Sequence, residues 1–187
     1  GLYARFPCFH PPSLSDYRML VIVGHGPSIV GKQLGPWLDE QTVIRLKAAE
    51  IPNVADWGTR TDYVCASNPG FIAKRVVLGL PPLKCEHWFL SEHHTEAPKG
   101  VQARFARRDW FTYWQKYLIP GSKLKKPSTG LRAAFCAVEF LKPTELGLIG
   151  FDNILHPERK STTKWFHEPG KYSYAHEPQA EHRALMD

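Results

Sequence analysis

Residues 19–23 form an unbroken apolar run, Met-Leu-Val-Ile-Val, stopped by Gly24. A run that long without polar alternation suits a strand buried on both faces, so it predicts a strand of a parallel sheet. Residues 42–46, 62–66 and 86–90 predict three more strands, and residues 146–150 a short one late in the chain. Helical signals fall between them. A helix is expected after Ser28 and Ile29. Residues 100–118 carry Phe105, Trp110, Phe111, Trp114 and Leu118 mostly three or four apart, with Arg104, Arg107, Arg108 and Lys116 on the other face, and predict a long amphipathic helix. Residues 131–141 predict another. A last helix, Pro178–Met186, starts on a proline, which is favoured at a first helical position. Residues 1–17, with Pro7, Pro11 and Pro12, read as an irregular N-terminal arm, residues 121–126 as a basic loop and residues 155–173 as a polar, mobile loop. Strands alternating with helices predict one α/β domain over residues 1–187, a mostly parallel, Rossmann-like sheet flanked by helices.

Composition narrows this picture. With 187 residues, 43% apolar and 12% aromatic, the chain has ordinary globular content and enough length for a real core. No apolar run approaches the roughly 20 residues of a membrane span, and the start shows no signal-peptide pattern, although Gly1 in place of Met leaves open that a segment was removed. The net charge of +6 suits a nucleotide, an anionic glycan or a nucleic acid as partner, and equally a solvated basic surface. Cys8, Cys65, Cys85 and Cys136 are widely spaced with no C-x-x-C pair, which points to a reducing, cytoplasmic setting.

Several segments carry candidate chemistry. In a parallel sheet ligands bind beyond the carboxyl ends of the strands, where Gly24-His25-Gly26-Pro27-Ser28 is expected. Its glycines permit close backbone approach and its amides suit a phosphate; the same residues also fit a bare tight turn. Lys126-Pro127-Ser128-Thr129-Gly130 precedes an apolar helix, so Ser128 or Thr129 is a natural N-cap, either as plain capping or with the positive helix end facing an anion. His176 is followed five positions later by Glu181, and a histidine titrates near working pH, as a general base requires. Cys85, His87, His93, His94 and Glu96 crowd together, but no standard zinc spacing is present, so no metal site is expected.

The order of these segments resembles the sialyl motifs of the sialyltransferases, the animal-type enzymes and their bacterial and phage relatives. Residues 21–62, with the glycine turn, Val43-Ile44-Arg45 and Gly58-Thr59-Arg60-Thr61, are similar to the large motif; Pro127-Ser128-Thr129-Gly130 and Leu148-Ile149-Gly150-Phe151-Asp152 to the small one. Trp165-Phe166-His167-Glu168 takes the place of the aromatic third motif, and His176 with Glu181 that of the last. The resemblance implies a sialyltransferase-like variant of the GT-A fold. It also implies an inverting transfer of sialic acid or a related acidic sugar from a CMP-sugar to a hydroxyl acceptor, with His176 as base and Glu181 orienting the site. The implied donor-binding residues are Gly24, His25, Gly26, Pro27, Ser28, Lys47, Ser128, Thr129, Gly130, Gly150, Phe151 and His167.

The family usually has asparagine at the positions of His25 and Lys47; both replacements still donate to a phosphate. The animal enzymes join the first two motifs by a disulfide, whereas the first motif here has no cysteine. A monophosphate leaving group and the lack of a D-x-D triplet agree with a metal-independent enzyme without cofactor. The expected partners are a nucleotide-sugar donor and a glycan or other hydroxyl acceptor. The basic, Trp-bearing stretch around residues 104–114 adds a nucleic acid as a further acceptor. Two alternatives stand beside this reading: a degenerate, non-catalytic nucleotide or glycan binder on the same fold, and a glycosyltransferase that uses another nucleotide-sugar on nucleic acid.

Overall fold

The computed structural model describes residues 18–90, 96–105, 116–117, 126–155, 163–165, 168–169 and 178–187. Six strands, β1 (Leu20–Val23), β2 (Thr42–Leu46), β3 (Tyr63–Ala66), β4 (Glu86–Phe89), β5 (Ala103–Phe105) and β6 (Leu146–Ile149), pair in parallel in the order β5-β4-β3-β2-β1-β6. The apolar runs fill the centre because a parallel strand must be apolar on both faces. Leu20, Ile22, Ile44 and Leu46 point to one face, Val21, Val23 and Val43 to the other.

On the first face lies α4 (Thr129–Leu141), whose Ala133, Ala134, Cys136 and Ala137 are small enough to let it sit close to the sheet. Earlier helices are α1 (Gly35–Asp39), α2 (Val54–Trp57) and α3 (Gly70–Val77). Leu38 of α1 and Trp57 of α2 cover the second face, together with Ile29. After β6 come α5 (Asp152–Leu155) and α6 (Pro178–Met186). Ala180 and Ala184 of α6 pack on Leu131 of α4 and on Tyr117. The strands and helices therefore form an α/β, Rossmann-like sheet with helices on both faces, as the apolar pattern predicts.

The structure differs from the sequence pattern in three places. Residues 100–118 are not one continuous helix, because Ala103–Phe105 is the edge strand β5. The His87 amide donates to the Gln102 carbonyl, and Arg104 pairs with Glu86 at 2.9 Å while lying over the Phe140 ring. Arg104 is thus tied to the sheet edge while remaining exposed; Arg107, Arg108, Trp110 and Trp114 lie outside the described residues. The helix expected after Ser28 is a single 3-10 turn, Pro27–Ile29, since Gly31 at φ 74° and Gln33 at φ 52° break it before α1 begins. The stretch 155–173 is not all loop: β7 (Thr163–Trp165) pairs antiparallel with β8 (Glu168–Pro169). The N-terminal arm at residues 1–17 and the basic loop at 121–125 lie outside the described residues. Cys65 and Cys136 are buried thiols, and burial pushes the Cys65 thiol up. Among the described residues no helix is long and apolar enough to cross a membrane.

Candidate functional site

Strand order reverses at β1. Successive strands from β1 to β5 march one way, and β6 returns to the far side of β1. The chain leaving β1 runs to the second face, where Ile29 packs, while the chain leaving β6 runs to the first, where Phe151 and Ile154 pack. Such a reversal opens a crevice at the carboxyl ends of the two strands, the usual ligand position in an open α/β sheet.

Both lips of this crevice are glycine turns, and they interlock. The Gly24 amide donates to Ile149 at 2.7 Å and the Gly26 amide to Gly150 at 2.9 Å. A Cβ on Gly24 would lie 2.4 Å from the Gly150 carbonyl oxygen, and one on Gly26 would lie 1.7 Å from Asp152 Oδ2. Gly150 itself has φ +70°, and Gly130 faces Phe151 so closely that a Cβ would meet its ring at 2.7 Å. The Ser28 amide donates to Asp152 Oδ2 at 3.3 Å. The glycines are therefore required by the chain's own close approach, and the amides of Gly24, Gly26 and Ser28 already have acceptors in the protein. Nothing in the spacing of these glycines along the chain points to Asp152 as the neighbour.

Two clamps hold the loops on either side. Asp56 accepts from the Gly31 and Gln33 amides, both at 2.8 Å, and these bonds hold its carboxyl below the ordinary range against the opposing effect of burial. At the end of β2, Lys47 (φ 57°) and Ala49 (φ 51°) are left-handed. The buried Arg75 guanidinium donates to the Ala48 and Ala49 carbonyls at 2.6 and 3.0 Å and keeps them so. Lys47 thus emerges at the carboxyl edge of β2, beside the turn that carries His25. The rest of the first motif does structural work. Arg45, buried on the second face, donates to Trp57, Arg60 and Thr61, and Asp39 accepts from the Thr59 and Arg60 amides. Burial pulls Arg45 down to about 10, partly offset by Asp39 and Asp62.

The N-terminus of α4 opens on the same edge. Ser128 caps it, its Oγ accepting from the Leu131 amide at 3.2 Å. The same residue donates from its amide to Glu181 Oε1 at 2.7 Å and from its hydroxyl to Oε2 at 2.6 Å. A carboxyl group therefore does sit at this helix end, and it is the chain's own Glu181. Complete burial pushes that carboxyl up to about 7, with the two Ser128 bonds and Arg132 pulling the other way. Glu181 ties α6 to α4. The first two helical amides, of Thr129 and Gly130, lie at the open end of the helix. His176 and His167 lie outside the described residues, His176 two positions before α6 begins.

Arg132 was missed by motif reasoning. It is half-buried one turn into α4 and donates to the Leu90 carbonyl, at the end of β4, at 3.0 Å. A signal was available, since it is a charged residue among Gly130, Leu131, Ala133 and Ala134. In the cysteine and histidine cluster, His87 is buried with Nδ1 3.0 Å from the Cys85 carbonyl, and burial lowers its pKa. His93 and His94 lie outside the described residues.

No protein-family model and no curated protein sequence matches this chain. Its fold does match solved structures. A crystal structure of a mammalian sialyltransferase superposes with a TM-score of 0.59 at 16% identity, covering 90% of this chain and 64% of that one. A mammalian sialyltransferase in complex with Gal-beta-1-3GalNAc-ortho-nitrophenol superposes with a TM-score of 0.54 at 15% identity, covering 90% of this chain and 65% of that one. The chain thus has a sialyltransferase-like fold and spans less than two thirds of the length of either structure.

Proposed function

We propose that the chain is an inverting, metal-independent glycosyltransferase that moves sialic acid or a related acidic sugar from a CMP-sugar to a hydroxyl acceptor. The observation that carries this is the meeting of motif segments at one carboxyl edge: the β1 turn, the β6 turn, the left-handed end of β2 and the capped start of α4. On this reading His176 takes the proton from the acceptor hydroxyl as its oxygen attacks the anomeric carbon, and the bond from that carbon to the phosphate oxygen breaks on the opposite side. CMP leaves with the electron pair, and Lys47, His25 and the Thr129 and Gly130 amides offset its charge. Glu181 acts as a positioning residue, because its bonds to Ser128 fix the helix that follows His176 in sequence. Gly24, Gly26, Pro27 and Gly150 shape the crevice, Phe151 supports its floor, and His167 is a further phosphate ligand.

Calorimetric titration with CMP, CDP, UMP and UDP, with and without magnesium, tests the donor. Selective CMP binding that does not need magnesium is expected, and preference for a uridine or diphosphate ligand would change the donor. With a CMP-sugar in hand, His176→Ala should lower turnover by about 100-fold or more while leaving CMP affinity within a few-fold. Nucleotide binding without turnover for any donor would instead identify a non-catalytic binder, the reading that the His25 and Lys47 departures favour.

A further inference from the structure

One charged group in the crevice between β1 and β6 has no role in the mechanism above. Asp152 follows the β6 turn as the first residue of α5, and its carboxylate lies so flat against Gly26 that a Cβ there would overlap Oδ2 at 1.7 Å. Oδ2 accepts from the Ser28 amide at 3.3 Å, whereas Oδ1 accepts no hydrogen bond from the described residues. The residue is half-buried, so part of its surface is open to solvent.

That placement sets what the glycine turn can hold. A phosphate on this turn would need its amides, yet those of Gly24, Gly26 and Ser28 are already paired. It would also sit against a carboxylate, and like charges at contact repel strongly where water is thin. A carboxylate with an open oxygen accepts hydrogen bonds, so its natural ligand is a donor group: a hydroxyl, a vicinal diol or an amine. Basic groups stand elsewhere on the edge, Lys47 at the end of β2 and Arg132 on α4. The crevice is therefore polarised, with its acceptor at the β1–β6 junction and its cations on the far side of the β1 turn.

We propose that Asp152 reads the ribose of the donor nucleoside, accepting hydrogen bonds from its 2′- and 3′-hydroxyls, so that the phosphate lies toward Lys47 and the His25 side chain and off the paired amides of the glycine turn. This rests on the nucleotide-sugar reading and deepens it: the ligand is a ribonucleotide, and the junction of the β1 and β6 turns holds its ribose. Carboxylates at strand ends in other α/β sheets take ribose hydroxyls on the same chemical grounds.

The test is calorimetry on the full chain with CMP, 2′-deoxy-CMP and UMP, before and after Asp152→Asn. The wild-type chain should bind CMP about 10- to 100-fold more tightly than 2′-deoxy-CMP, the range of a hydrogen bond to a charged group. Asp152→Asn should weaken CMP at least to the level of 2′-deoxy-CMP, and should weaken 2′-deoxy-CMP by a smaller factor, through its 3′-hydroxyl alone. Equal wild-type affinity for the two ligands would overturn the proposal, and that comparison needs no variant, so it stands even if Asp152→Asn fails to fold. A variant that loses both ligands equally, or that changes the ratio of CMP to UMP, would also overturn it, the latter by moving Asp152 to the base. Absence of any nucleotide binding by the wild type would instead overturn the nucleotide-sugar reading itself, and this proposal with it.

Discussion

On the face of the sheet that carries α1 and α2, the fastenings are charged. Arg45 runs into the carbonyls of Trp57 and Arg60, Asp39 gathers the amides of Thr59 and Arg60, and Asp56 gathers those of Gly31 and Gln33. The face that carries α4 and α6 is closed by small apolar residues and one buried carboxyl, Glu181, on Ser128. Both faces use carboxylates on backbone amides, yet their pKa values move in opposite directions. Asp56 is held down by two short amide bonds, which outweigh burial. For Asp39 burial is the largest single influence, but the Arg60 and Thr59 amides and the nearby Arg45 together exceed it. Glu181 has one amide and one hydroxyl in a deeper site, and there burial wins, carrying it up to about 7. The number of donors set against depth of burial decides which side stays charged.

The largest effect is expected from removing the charge at the centre of the first arrangement. Arg45→Met keeps most of the apolar stem but leaves the Trp57 and Arg60 carbonyls without their donor, and Asp39 and Asp62 with Arg60 alone as a neighbouring cation. It should cost about 3 kcal/mol of stability or more in equilibrium urea unfolding. A loss below about 1 kcal/mol would mean that apolar packing of Leu38 and Trp57 holds this face, and the contrast between the two faces would collapse.

Next comes the pH dependence of the second arrangement. The folded pKa of Glu181, about 7, lies above its unfolded value near 4.5. Between those limits the folded chain keeps a proton that the unfolded chain has lost, so stability falls as pH rises, by about 3 kcal/mol in total. The contribution is complete below pH about 4.5 and gone above pH about 7. Glu181→Gln should flatten that segment of the profile in urea unfolding at pH 5, 6, 7 and 8, with the wild-type minus variant difference isolating Glu181 from the histidines. Arg132, which favours the charged form, limits the size of the effect. Asp39 and Asp56 act with the opposite sign: their folded pKa values are depressed, so what they contribute is present above the unfolded value near 3.8 and lost as pH falls through the folded value.

The same contrast explains what could be read in the sequence. Strands β1 to β4 and β6, and helices α4 and α6, were legible because continuous apolar runs and a proline or serine start are local signals. Ala103–Phe105 was misread as helix because Phe105 keeps three- to four-residue spacing with later aromatics, while its strand state depends on pairing with β4 across the intervening chain. α2 and α3 are too short, at four and eight residues, to repeat a pattern over several turns, and Val76 and Val77 of α3 are exposed. At the site, the Ser128 cap was legible, but its bond to Glu181 joins residues 53 positions apart, and the contact of Gly26 with Asp152 joins more distant ones still. The glycine spacing signalled a close approach without saying whether the approaching group was a ligand or the chain itself.

Gly26→Ala tests that last point with an intermediate effect. The new Cβ would meet Asp152 Oδ2 and the Gly150 carbonyl oxygen, the latter at 2.7 Å, so a loss of about 2 kcal/mol is expected. Asp152→Ala in the same chain should recover about 1 kcal/mol of it, since the carbonyl remains in place. Simple additivity in urea unfolding would show that the two turns are not packed against each other.

The smallest effect falls on the loop that Asp56 holds. Gln33 is exposed, with φ 52°, and its amide bonds Asp56 at 2.8 Å, so Gln33→Gly removes left-handed strain without removing buried surface. Relief of about 1 kcal/mol is offset in part by the greater freedom of glycine in the unfolded chain, for a net gain of about 0.5 kcal/mol. Gly31, at φ +74° with nothing within 4 Å of an added Cβ, supplies the mirror case: Gly31→Ala should lose about 1 kcal/mol from backbone strain alone. Both shifts should shrink together as the pH falls below 3.8 and Asp56 takes up a proton, because the strain at Gln33 persists only while the ionised carboxylate holds the two amides. Glu181→Gln should leave these shifts untouched, since its carboxyl serves the opposite face. Urea midpoints for the loop variants that moved with Glu181 would show that the two faces of the sheet do not act separately.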